Sequence, residues 1–62
     1  MNVEEARTLA ISLPDAFLAL LKRMNSVERH TLLKEFETQY PKDYKGWLTE
    51  DVRLYLTYIN KL

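Results

Sequence analysis

Residues 12 to 24 read Ser-Leu-Pro-Asp-Ala-Phe-Leu-Ala-Leu-Leu-Lys-Arg-Met, and this stretch restricts the possible folds more than any other. Its first residues form a helix start. Ser12 is placed to act as N-cap, Pro14 falls in the first turn where a missing N–H is no loss, and Asp15 completes a box-like cap. Lys22 and Arg23 fall in the last turn, where cations suit the negative end of the helix dipole. At helical spacing Leu13, Phe17, Leu20, Leu21 and Met24 share one face, and Ala16 and Leu18 widen it to roughly 200°. One neighbour cannot cover so wide an arc. The sequence therefore predicts a helix packed on two sides at the centre of a bundle.

The flanking segments supply the rest of that bundle. Asn2 is a candidate N-cap with Glu5 three residues later, and Val3, Ala6, Leu9 and Ala10 recur at helical spacing up to Ile11. A helix of about residues 3–12 is too short to stand alone in water, so its alanine stripe must dock closely. Pro14 disfavours helical geometry at Leu13 and enforces a corner. After Met24, Asn25 is suited to a left-handed helix end and Ser26 to capping the next helix. That helix, about 27–39, carries a narrow stripe of Leu32, Leu33, Phe36 and Tyr40, which places it at the periphery. Arg29 lies within the stripe, laying its methylenes on the core while its head reaches water or a carboxylate.

Pro41 to Gly46 reads as a loop, with Pro41 ending the third helix and the sole glycine supplying a turn. Thr49 then caps a fourth helix, about 49–61, with Glu50 and Asp51 in its first turn and Leu48 placed for a staple contact. Its apolar arc is again roughly 200° wide, running from Leu54 and Tyr58 through Leu62, Tyr55 and Ile59 to Val52 and Leu56. Residues 52–59 are also rich in strand formers, but no second strand is present to pair with them, so helix is the stronger reading. The expectation is one all-α domain over residues 1–62, a compact bundle of three to four short helices at about 3–12, 13–24, 27–39 and 49–61.

Composition limits what such a domain can do. A chain of 62 residues buries a small core, and with no cysteine and one histidine it has neither disulfides nor a metal cluster to reinforce it. Good packing or a second subunit is left. The absence of cysteine fits a reducing compartment. Nine basic and nine acidic residues cancel, so no bulk field draws the chain to nucleic acid or an anionic membrane. No membrane span and no secretory signal is legible, so the expected compartment is the cytoplasm, and Met1 directly before a helix start reads as the beginning of a complete small protein.

No catalytic pattern stands out. His30 lacks partners at metal or catalytic spacing and sits among charged residues, both serines read as caps, and a single glycine cannot build a phosphate-binding loop. The paired acids Glu4-Glu5 and Glu50-Asp51 lie where helix dipoles favour them. The chain is expected to be no enzyme and to use no cofactor or metal. The most suggestive segment is Tyr40-Pro-Lys-Asp-Tyr-Lys-Gly-Trp47, in which aromatics alternate with lysines. Such residues can anchor a protein interface, stack nucleic-acid bases, or clamp the loop to the core.

Two functional readings follow. In the first, the chain is a non-enzymatic protein–protein interaction module, a small regulator or adaptor, binding another protein or a second copy of itself as a homodimer through Tyr44, Trp47, Leu54 and Tyr58. Surplus apolar surface supports it: two wide arcs and six of seven aromatics after residue 35 exceed what so short a chain covers. In the second, residues 27–39 are the reading helix of a dimeric helix-turn-helix DNA binder, with Arg29, Thr31 and Lys34 as candidate nucleic-acid contacts. The glutamates of that helix and the short link before it weigh against the second reading. No motif in the chain marks a known family.

Overall fold

A computed structural model describes residues 2–60, and the side chains of 2–59. Five helices follow one another: α1 Val3–Ser12, α2 Pro14–Arg23, α3 Ser26–Gln39, the single turn α4 Tyr44–Trp47, and α5 Glu50–Asn60. The all-α bundle agrees with the sequence expectation, and residues 52–59 are helix. The expected place of Leu62 in the apolar arc and the helix end at residue 61 lie outside the described residues.

The core is built from pairs one helical turn apart, because residues i and i+4 lie above one another on a helix face. Ala6 and Ala10 come from α1, Phe17 and Leu21 from α2, Leu32 and Phe36 from α3, and Leu48 with Val52 from the start of α5. The two alanines are fully buried. With only a methyl group each, they let the backbone of α1 approach its neighbours closely. As the width of its arc requires, α2 packs against both α1 and α5. Phe17 also meets Phe36 of α3 at a centroid distance of 6.1 Å.

The helix ends show where local sequence acts. At α1 the Asn2 side chain accepts from the Glu5 amide at 2.8 Å, as the spacing predicts. At α2 the expectation is corrected. Ser12 ends α1, and Leu13 is the capping residue of α2 with no side-chain hydrogen bond. The cause is Pro14, which pushes the residue before it out of helical geometry: Leu13 has φ −135° and joins two helices by itself. Its amide donates to the Leu9 carbonyl at 2.8 Å and its carbonyl accepts from the Phe17 amide at 2.9 Å. Lying outside the helix, Leu13 also leaves the buried face and is 58% exposed, so its predicted place in the core is a second correction. Ala16 is exposed as well, which narrows the buried arc of α2.

At α3 the cap is Asn25 rather than Ser26. Asn25 accepts from the Glu28 amide at 2.8 Å while its own amide donates to the Glu28 carboxylate at 3.1 Å, a complete capping box. Its φ of −76° and ψ of 170° are extended, not left-handed. The C-terminus of α2 is closed differently. The Arg29 guanidinium, through Nη1, donates to the carbonyls of Leu21 at 3.2 Å and Met24 at 2.8 Å. The head of Arg29 thus meets neither water nor a carboxylate but the negative end of the preceding helix, where unpaired carbonyls gather.

Residues 41–47, read from sequence as a loop, contain the turn α4. Gly46 lies inside that turn without a positive φ, and a Cβ added there would meet nothing within 4 Å. The turn does not depend on glycine's freedom. Thr49 accepts from the Val52 amide at 3.4 Å through its hydroxyl, as expected of the cap of α5, and Leu48 is buried in the core.

Candidate interaction surface

The aromatic segment after α3 is divided by the fold. Trp47 is half-buried, edge-on to Phe36 at 5.1 Å and 85°, and edge-on to Tyr40 at 6.0 Å. From the other end of the chain Arg7 brings its guanidinium carbon to 5.1 Å from the Tyr40 ring centroid and 5.9 Å from that of Trp47. Contacts of this kind combine ring quadrupoles with a cation over their faces. Two N–H groups in the cluster, Arg7 Nε and Trp47 Nε1, are buried without a hydrogen-bond partner, so packing holds these side chains against a polar cost. Trp47 and Tyr40 clamp the segment to the core.

Tyr44 is placed elsewhere. Its ring lines a groove of about 400 Å³ between α3 and α5, together with Leu33, Leu48, Leu56 and the charged Glu37, Lys45 and Arg53. The Lys45 ammonium stands 5.9 Å from the Tyr44 ring centroid.

Leu54 and Tyr58 form the most conspicuous apolar surface on α5. They are 59% and 61% exposed, one turn apart on the same flank, while Val52 of the same helix is buried and Tyr55 and Leu56 pack against the core. Each stands one residue after a groove-lining position, Arg53 or Thr57, and is therefore rotated by roughly 100° from the groove. The four residues expected at a protein interface thus divide three ways: Trp47 into the core margin, Tyr44 into the groove, and Leu54 with Tyr58 onto the outer flank. Two further exposed apolar regions went unremarked as surface in the sequence. Ile11 and Leu13 project at the α1–α2 corner, and Val27 is 72% exposed at the start of α3.

The three candidate nucleic-acid contacts are also separated by their hydrogen bonds. Arg29 is committed to the carbonyls at the end of α2. The Thr31 hydroxyl donates to the Val27 carbonyl at 3.0 Å within its own helix. Lys34 is exposed. His30 is exposed too, beside a small hollow lined by Ser26, Arg29, Leu33 and Ile59. Among the described residues no three of His, Cys, Asp and Glu come together as a metal site, and no helix is long and apolar enough to cross a membrane. Comparison with protein-family models, with characterised proteins and with solved structures gives no match to this chain.

Proposed function

We propose that the chain is a non-enzymatic protein-interaction module, a small cytoplasmic regulator or adaptor that associates as a homodimer through the outer flank of α5. The observation that carries the reading is the exposure of Leu54 and Tyr58, a leucine and an aromatic one turn apart on a helix whose other apolar residues pack inward. An aromatic side chain beside an aliphatic one is the kind of anchor that dominates interface energetics.

A second copy is the partner that the size of the chain favours. A core of eight buried side chains in 62 residues leaves little margin, and two-fold pairing stabilises the folded state by mass action. The same flank then serves both subunits, as two-fold symmetry requires. Tyr44, on the neighbouring groove, is available to a further partner, whereas Trp47 contributes through the fold.

Light scattering after size exclusion, repeated over a range of loading concentrations, tests this. The wild type is expected to move from monomer to dimer mass as concentration rises. Leu54→Ser with Tyr58→Ser is expected to stay monomeric with unchanged helical circular dichroism. A wild type that is monomeric throughout, or a double variant that still dimerises, overturns the reading.

A further inference from the structure

We propose that the groove between α3 and α5 is a binding site for a medium-chain aliphatic carboxylate, a ligand with an apolar tail and one negative charge. The site is separate from the flank of Leu54 and Tyr58, being displaced from it by roughly 100° around α5. Its floor comes from three parts of the chain: Leu33 on α3, Leu48 between α4 and α5, and Leu56 on α5. Its charges also come from three elements, Glu37 on α3, Lys45 on α4 and Arg53 on α5.

Volume, lining and charge together select the ligand. About 400 Å³ is within the range of small-molecule sites and equals about thirteen water volumes of roughly 30 Å³ each. A saturated chain of about eight carbons with a carboxylate fits that space. The leucines offer nothing to a polar body, so the tail must be apolar. Thr57 has already given its hydroxyl proton to the Arg53 carbonyl at 2.9 Å. The charged donors open to a ligand are therefore the Lys45 ammonium and the Arg53 guanidinium. Two cations against one carboxylate leave a single net positive charge at the groove, which favours a monoanion over a neutral or cationic head. Exposed charges of this kind confer selectivity more than strength.

The test is a titration of octanoate into protein labelled at the leucine methyls, followed by two-dimensional NMR, with 1-octanol and octylamine as matched probes. Octanoate is expected to cause saturable shifts of the Leu33, Leu48 and Leu56 methyls, with a dissociation constant of about 1 mM or tighter for a ligand of this size. Octanol should bind about three- to fivefold more weakly, and octylamine more weakly still. The combined variant Lys45→Gln and Arg53→Gln changes only exposed side chains and should fold normally; in it the preference for octanoate over octanol should vanish. Glu37→Gln should act in the opposite direction and tighten octanoate. Shifts that do not saturate, equal binding of the three probes, or a preference that survives neutralisation of both cations overturns the proposal. Because Leu54 and Tyr58 are unchanged in every arm, failure here is distinguishable from failure of the dimer.

Discussion

Replacing Trp47 by alanine separates a residue that holds the fold from one that merely decorates a surface. The side chain is half-buried and makes two edge-on ring contacts, at 5.1 Å with Phe36 and 6.0 Å with Tyr40, and lies 5.9 Å from the Arg7 guanidinium. Truncating a large buried aromatic costs about 3–5 kcal/mol, and partial exposure reduces this to about 2–3 kcal/mol. The contacts taken separately agree: two ring pairs at about 0.5–1.5 kcal/mol each, with about 0.5 kcal/mol for a partly exposed cation over a ring. A domain of 62 residues has about 3–9 kcal/mol of stability in total, so the variant loses a third or more of it. The melting temperature should fall by roughly 10–20 °C.

Urea unfolding followed by circular dichroism is the assay, since the substitution removes the fluorophore. Trp47→Phe provides the control. It keeps a ring against Phe36 and removes the unpartnered Nε1–H, so its net loss should stay within about 1 kcal/mol. A loss below about 0.5 kcal/mol in Trp47→Ala, combined with weakened self-association, would return Trp47 to the binding surface and refute the argument.

Three other substitutions test individual parts of the fold. Arg29→Met should cost about 1–3 kcal/mol because two carbonyls at the end of α2 lose a charged donor; an unchanged urea midpoint would show those hydrogen bonds to be idle. Asn25→Ala should cost about 1 kcal/mol and Ser26→Ala less than about 0.5 kcal/mol, and the reverse order in thermal unfolding would place the cap of α3 at the wrong residue. Gly46→Ala should stabilise by about 0.4–1 kcal/mol, since the turn has no positive φ and the new methyl meets no neighbour. A lowered melting temperature for that variant would contradict the geometry of α4.

What was legible in the sequence and what was not follow from the range of the interactions involved. The four longer helices could be placed because apolar periodicity, first-turn acids and prolines are local, and each acts within a few residues. Leu13 misled because an angular count assumes helical geometry at every residue, and Pro14 removes it at that one. The Asn25 cap was accessible to the rule that identified Asn2: in both places an asparagine stands three residues before the glutamate whose amide it caps. Reading Asn25 as a helix end hid its role as a helix start. No spacing rule could have found Arg7 over Tyr40 and Trp47, because those residues meet only once α1 has docked. The groove had the same limitation, since its leucines and charges come from separate elements. The exposure of Leu54 and Tyr58 was anticipated in kind, as an arc too wide to cover, although the sequence did not specify which part of the arc would face solvent.

The most direct test of self-association through α5 is the concentration dependence of the backbone amide NMR spectrum. From about 10 µM to about 1 mM, a span that covers weak and moderate dimers, the amides around Leu54 and Tyr58 should shift or broaden together while those around Trp47 stay fixed. A spectrum that does not change over that span, or changes centred on Ile11 and Leu13 or on Val27 instead, would contradict the account.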